Sequence, residues 1–242
     1  MPRLAARSVV LSVLLGAHPA WASAAELIRL TADFGIREST LRVALTRMVG
    51  AGDLVRSADG YRLSDRLLTR QARQDAALSP RWRDWNGDWT TLVVTGVGGD
   101  ARSRSEFRKT LQDSRFGELR EGVWLRPDNL DAELDPAVLH RVRILHSRDA
   151  EPRQLTAALW DLPGWAREGH WLIGEMSTAA DVPGRFVVAA AMVRHLLTDP
   201  VLPEELLPTD WPGAALRRSY AAFAAELAAR RDPIDSLQEA TT

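Results

Sequence analysis

Within residues 22–65, two amphipathic helical stretches, a glycine turn, a glycine stop and an Asp-Gly hairpin follow one another, and few folds accommodate that order. Ala24, Ala25, Glu26, Leu27, Ile28, Arg29 and Leu30 spell a short amphipathic helix. Asp33-Phe34-Gly35-Ile36 breaks it, with glycine where a left-handed backbone costs least. Leu41, Ala44, Leu45, Met48 and Val49 then recur at helical spacing and give a second helix one apolar face. Arg37 occupies the position where a Ser or Thr cap is expected. Gly52 ends the second helix, and residues 54–57 and 61–63 flank an Ala58-Asp59-Gly60 turn, a strong hairpin signal.

Each piece alone has an ordinary explanation, since a polar helix face is usually just solvated and Asp-Gly turns are common. In this order they spell a winged helix-turn-helix, whose partner is duplex DNA. Arg37, Ser39, Thr40, Arg42, Val43, Thr46 and Arg47 would be the reading surface of the second helix. Guanidinium groups suit guanine edges and phosphates, hydroxyls suit phosphates, and the small apolar Val43 suits a thymine methyl. Arg56 and Arg62 lie on the strands of the hairpin, the wing.

Charge is distributed to match. The 242 residues carry a net charge of −1, but residues 1–83 hold thirteen Arg against seven acidic residues, and the remainder is acidic. A basic N-terminal lobe on an acidic body fits nucleic-acid contact confined to one end. There is no cysteine, which excludes disulfides, thiolate metal sites and cysteine nucleophiles.

The N-terminus supports two readings. Arg3 and Arg7, the apolar run 8–17 and Ala22-Ser23-Ala24 resemble a signal peptide with its cleavage site. Alternatively, residues 3–16 form the first helix of the winged domain, which a helix-turn-helix pair needs to close its core. The second reading is preferred, because cleavage would remove the helix against which Leu27, Leu41 and Leu45 pack. It makes the protein cytoplasmic, with no membrane segment.

Beyond the wing, residues 65–78 read as a helix ended by Pro80, and Trp82, Trp85 and Trp89 punctuate a linker suited to clamping domains. A strand over 90–97, a turn at Gly98-Gly99-Asp100 and a helix over 101–114 follow. Residues 116–127 read as two short strands, or one strand entered by a bulge, then a short helix over 134–139 and a strand over 142–146. Strand, helix, strand, strand, helix, strand is the order of a ferredoxin-like domain. Helices are expected over 155–160, 165–176, 183–197 and 211–231, the last two separated by a block with four prolines that forces a folded-back path. The last ten residues are polar and are expected to be disordered.

Nothing in this inventory points to catalysis. His140 and His146 lack an acidic partner cluster and make a poor metal set. Gly96-Val97-Gly98-Gly99 lacks the Lys-Ser/Thr of a phosphate-binding loop and the third glycine of a dinucleotide fold. Glu204 and Glu205, being adjacent, diverge on a helix. No metal or cofactor is expected.

Ser39-Thr40-Leu41-Arg42-Val43-Ala44-Leu45-Thr46-Arg47-Met48-Val49, Gly60-Tyr61-Arg62-Leu63, Gly122-Val123-Trp124-Leu125-Arg126-Pro127 and Leu159-Trp160-Asp161-Leu162 carry a family resemblance. So, most specifically, does the block from Leu197-Thr198-Asp199-Pro200 to Trp211-Pro212-Gly213. Together they resemble the PaaX family, repressors of bacterial phenylacetic acid degradation operons. The resemblance implies an α+β chain with a winged helix-turn-helix at 1–80, a Cas2-like ferredoxin fold at 86–150 and a helical sensor and dimerisation domain at 152–242. It implies a homodimer on a palindromic operator, released by an aryl-CoA thioester such as phenylacetyl-CoA. Trp160, Trp165, Arg167, His195 and Trp211 are the residues proposed to meet that effector, although tryptophans in such positions more often serve a core or an interface. The first strand ends in Thr95-Gly96-Val97 without a metal-binding aspartate, which argues against a nuclease. The rival readings are a repressor of the same build sensing another acyl-CoA or aromatic acid, an exported protein, and, least favoured, a Cas2-like metal nuclease.

Overall fold

The computed structural model describes residues 4–96, 100–131 and 134–230. The expected Gly98-Gly99 turn and polar tail 233–242 lie outside the described residues. In chain order the elements are α1 (Ala6–Leu15), β1 (Trp21–Ser23), α2 (Ala24–Ala32), α3 (Glu38–Gly50), β2 (Leu54–Arg56), β3 (Gly60–Leu63) and α4 (Asp65–Leu78). There follow β4 (Trp89–Val94), α5 (Ala101–Asp113), β5 (Gly117–Arg120), β6 (Val123–Pro127), α6 (Pro136–Leu139) and β7 (Val142–Ser147). Last come α7 (Pro152–Leu159), α8 (Leu162–Thr178), α9 (Val182–Leu196), a 3-10 turn (Glu204–Leu206) and α10 (Gly213–Ala229). The chain is α+β, with two antiparallel sheets of order β1-β3-β2 and β5-β6-β4-β7.

These elements pack as two compact units. The first contains residues 4–75, 172–193 and 215–230, and the second 76–171 and 194–214. The segment 152–242, expected as one consecutive helical domain, is therefore divided between the two.

Local chemistry explains the first unit. Ser23 caps α2 through a reciprocal box: its hydroxyl accepts from Glu26 N–H at 3.1 Å, and the Glu26 carboxylate accepts from Ser23 N–H at 2.6 Å. Gly35 at φ +65° turns the chain from α2 into α3, a conformation costly for a residue with a Cβ. The apolar run near the N-terminus is α1, whose Val9, Val10 and Leu14 are fully buried and which packs on α2 and α3. Carbonyls at and just beyond its C-terminus are gathered by one side chain. Gln71 of α4 donates to Leu14, Leu15 and Ala17 carbonyls at 3.3, 3.1 and 2.9 Å. Asp53, buried after α3, takes Arg7 of α1 on one carboxylate oxygen at 2.8 Å and Arg66 of α4 on the other at 2.7 Å. Phe34 meets Phe186 edge to face at 4.8 Å, Phe186 meets Phe223 at 6.5 Å, and Arg185 pairs with Glu226 through both nitrogens. That aromatic chain is why parts of the last helices belong with the N-terminal elements.

In the second unit the four-stranded sheet has a core on each face. Leu92 and Trp124 project with Phe107, Leu111, Phe116 and Val138 on one side. Trp89 and Leu125 project with Leu162, Leu202 and Leu206 on the other. Residues 116–127 are two strands after all, turning at Gly122 (φ +79°), and a register irregularity between Glu118 and Arg120 supplies the bulge as well. Of the three linker tryptophans, Trp89 is fully buried, Trp85 meets it edge to face at 6.3 Å, and Trp82 is exposed. The proline block is held by its own polar groups. Val201 stands at φ +53°, unusual for a β-branched residue; its N–H donates to Asp199 Oδ1 at 2.9 Å and its carbonyl accepts from Asn129 Nδ2 at 2.9 Å.

Candidate functional site

The first unit presents the basic surface. On α3, Leu41, Leu45 and Met48 are buried, which fixes the helix's rotation and turns the opposite arc outward. Arg37, Ser39, Thr40, Arg42, Val43, Thr46 and Arg47 are all exposed. Val43 is 52% exposed, a large value for an apolar side chain near the middle of a helix. Helical spacing puts Ser39, Thr40, Val43, Thr46 and Arg47 on one arc, with Arg42 on its flank, about 100° from Val43 at the centre. Arg42 is also engaged: its Nε and Nη2 donate to Glu38 Oε1 at 2.8 and 2.6 Å. Thr46 donates back to the Arg42 carbonyl at 3.0 Å, which leaves the hydroxyl oxygen free to accept. Arg37 is the residue before the first helical turn and makes no side-chain cap.

Beside that arc, α3 and the start of α1 border a cleft of about 720 Å³. Arg7, Ser39, Thr40, Val43, Arg47 and Asp53 are among its lining residues. Four of the seven residues singled out on α3 thus share one concave, partly apolar surface. The sequence did not point to Arg7, and its only signal was a lone charge at the head of an apolar helix.

The hairpin is a three-stranded sheet, because β1 adds to it with Trp21↔Arg62, Ala22↔Tyr61 and Ser23↔Gly60 in register. Arg56 and Arg62 are exposed on neighbouring strands. Arg62 lies 3.7 Å from Asp65, a solvated pair of small energetic weight.

The second unit gathers three of the five residues expected to meet an effector. Trp165 stacks on His195 at 4.2 Å and 20°, and on Trp211 at 4.3 Å and 14°. Two parallel rings at that distance cannot share one face, so Trp165 is sandwiched. The contact between Trp165 and His195 is reciprocal. His195 Nε2 lies 3.0 Å from the Trp165 carbonyl, and Trp165 Nε1 donates to the His195 carbonyl at 3.3 Å and to Thr198 Oγ1 at 3.2 Å. A carbonyl can only accept, so the proton of the neutral ring sits on Nε2. Burial pushes the His195 pKa below its ordinary value, against the smaller opposing effects of the Trp165 carbonyl, Glu168 and Asp199. Trp160 joins Trp211 at the edge of the core around Trp89, while Arg167 is exposed on α8. A second concavity of about 530 Å³ borders Trp85, Pro152, Arg153, Glu205 and Leu206.

Among the described residues no group of three or more His, Asp or Glu side chains is placed to hold a metal ion, and no helix is long and apolar enough to cross a membrane.

Three family profiles match in succession: "PaaX-like protein" over residues 5–67, "PaaX protein central Cas2-like domain" over 82–154, and "PaaX-like protein C-terminal domain" over 177–234. The chain is 27% identical over 223 residues to the transcriptional repressor PaaX of Escherichia coli (strain K12), covering 79% of this chain and 70% of that one. It also resembles a solved structure, uncharacterized protein Rv0674 from Mycobacterium tuberculosis. The TM-score there is 0.85 and the identity 68%, over 94% of this chain and 97% of the other.

Proposed function

The chain belongs to the PaaX family, and on that footing we propose that it is a cytoplasmic transcriptional repressor, not an enzyme. In this reading α1 to α3 with the β1-β3-β2 sheet form a winged helix-turn-helix, and the β5-β6-β4-β7 sheet with α5 and α6 a ferredoxin-like domain. A homodimer binds a palindromic operator, one α3 entering each of two successive major grooves. The observation that carries the proposal is the exposed arc of α3. Arg47, Val43, Thr40 and Ser39 face outward on a helix pinned by Leu41, Leu45 and Met48, with Arg56 and Arg62 on the adjoining hairpin.

An aryl-CoA thioester, phenylacetyl-CoA in the first instance, releases the operator. It binds better to a dimer whose winged domains no longer match the half-site spacing, and it shifts the balance only by that difference in affinity. Trp160, Trp165, Arg167, His195 and Trp211 are the proposed contacts. The protein's own aromatic stack already occupies both faces of Trp165 and His195 is buried, so contact with either requires the stack to open.

The test is a gel shift on the DNA upstream of the protein's own gene, with a panel of CoA esters and the matching free aromatic acids. A retarded band at low salt, released by one member of the panel, is expected, and that member identifies the effector class. Absence of any band at low salt overturns the repressor reading. A band that no member releases leaves DNA binding standing and removes the effector.

A further inference from the structure

Arg7 of α1 and Arg66 of α4 are fastened to one buried carboxylate. Asp53 Oδ2 accepts from Arg7 Nε at 3.0 Å and Nη2 at 2.8 Å, while Oδ1 accepts from Arg66 Nη2 at 2.7 Å. The Asp53 side chain is 4% exposed, whereas those of Arg7 and Arg66 are 59% and 68% exposed. Each guanidinium is therefore anchored through part of its fork, and its remaining N–H groups have no acceptor among the described residues. One carboxylate faces two arginines, so the clamp keeps a net positive charge. Arg7 and Asp53 also line the cleft shared with Ser39, Thr40, Val43 and Arg47 of α3.

A stripe continues the clamp along α4. Arg66, Arg70 and Arg73 are exposed and fall within about 60° of one another around the helix. Leu67, Gln71 and Gln74 are buried on the neighbouring arc, and the bonds of Gln71 to the end of α1 fix the rotation. Asp65 and Asp75, the acids of α4, lie outside the stripe. Arg66 shares Asp53 with the start of α1, and Asp75 meets His18, beyond the end of α1, at 3.0 Å. The stripe thus runs alongside α1, away from the cleft. From Arg66 to Arg73 it extends about 10.5 Å, the rise of about three phosphates on one DNA strand.

We infer that the Arg7–Asp53–Arg66 clamp and the stripe of Arg70 and Arg73 seat the phosphate backbone of duplex DNA beside the groove that α3 enters. The inference deepens the proposed function and rests on it, adding a backbone contact outside the reading helix and the hairpin. Continuity with the α3 cleft favours DNA over an acidic protein surface, because one duplex can reach both. The chemistry fits as well. A guanidinium fork matches phosphate oxygens, and forks already tethered to Asp53 lose less freedom on binding. Arg70 has no partner of its own among the described residues. Phosphate contacts carry no sequence information, so this surface sets register and affinity and leaves base choice to α3.

The test is a gel-shift salt titration with the full-length chain, on the DNA upstream of its own gene and on an unrelated duplex of equal length. Arg70→Ala combined with Arg73→Ala leaves Asp53 and its partners untouched. That variant is expected to shallow the log–log salt slope by about 1.8 per bound chain, about 0.9 for each phosphate released. Affinity should fall by the same factor on both duplexes. Arg70→Lys combined with Arg73→Lys should keep the slope. Arg120→Ala combined with Arg218→Ala removes the same charge from exposed positions off the stripe and should also leave it unchanged. Phosphate-ethylation interference should show backbone positions that matter to the parent chain and fall silent in the Arg70/Arg73 alanine variant. An unchanged slope in that variant overturns the inference, and so does an equal change in the Arg120/Arg218 control. The two claims separate on the same gels. A preference for the upstream DNA with a slope indifferent to Arg70 and Arg73 removes the stripe and keeps the repressor. A slope that depends on the stripe, with no preference between the duplexes, keeps the backbone seat and removes the repressor. No binding to either duplex at low salt overturns both.

Discussion

Glu38 holds Arg42 on the exposed side of α3, one carboxylate oxygen accepting from Nε at 2.8 Å and from Nη2 at 2.6 Å. The pair spans one helical turn, an arrangement that stabilises a helix by about 0.2–0.5 kcal/mol. If α3 enters DNA as proposed, its larger consequence is functional, because a guanidinium already occupied is poorly placed to read a base. Arg47, four residues beyond Val43 on the same arc, is then the expected reader.

The first prediction separates these two arginines. Arg47→Ala should weaken operator binding by roughly 1–3 kcal/mol, the usual loss for a base-contacting arginine. Arg42→Ala should cost clearly less, and Glu38→Gln, which releases Arg42, should tighten non-specific binding at low salt. Gel-shift titrations at several salt concentrations check this. Loss of a phosphate contact also shallows the salt dependence by about 0.9 in log–log slope. Equal losses for Arg42→Ala and Arg47→Ala would contradict the assignment.

A second prediction concerns Asp53, whose side chain is 4% exposed and is neutralised from two helices. Asp53→Asn should destabilise the unit by about 1.5–3 kcal/mol, the value of hydrogen bonds to a charged group. Arg7→Ala or Arg66→Ala alone should cost less, because the remaining arginine still faces the carboxylate. Denaturant unfolding of the three variants measures the difference, and a near-zero effect for Asp53→Asn would show that the clamp is ornamental.

Gly60 is the third. A Cβ there would collide with the Ala22 carbonyl oxygen and lie 2.9 Å from Trp21 Cζ2. The backbone cannot yield without parting β3 from β1, where Ser23 and Gly60 are in register. Gly60→Ala should therefore cost about 1–3 kcal/mol, as overpacking does. Because the hairpin carries Arg56 and Arg62, operator affinity should fall with it, and calorimetry alongside gel shift would reveal whether the two losses go together.

The fourth follows from His195. Burial lowers its folded pKa below 6.5, so between those two values the unfolded chain binds more protons than the folded one. Stability should be complete above pH 6.5 and should decline as pH falls below it, levelling once the pH passes the folded pKa. His195→Phe keeps a ring against Trp165 and removes the titration. Its unfolding free energy should lose that part of the pH slope between pH 7.5 and pH 5, so an unchanged slope would rule His195 out as its source.

Much of this protein is written locally. The apolar positions Leu41, Leu45 and Met48 and the Gly35 and Gly52 turns specify α3 and its rotation. They depend only on helical period and on the low cost of φ > 0 at glycine. The strand and helix order from β4 to β7 is similarly local, and helix bounds in the C-terminal third fall within a few residues of where periodicity puts them. Arg42's occupancy by Glu38 was readable too, as an i,i+4 pair, but a list of outward-facing arginines hides it.

Packing between distant residues was not legible. Nothing near Phe34 announces Phe186 and Phe223, or that parts of α8, α9 and α10 belong with the N-terminal elements and not to a separate domain. Trp165 and His195 could be named as notable residues, yet only their stacked contact shows that they satisfy one another. The sharing of Asp53 by Arg7 and Arg66 depends on which helices meet, which a sequence does not state. Residue type and period act over one or two turns of chain, and so they determine elements and faces. Which faces meet depends on burial summed over pairs far apart in sequence, and only the folded chain decides that.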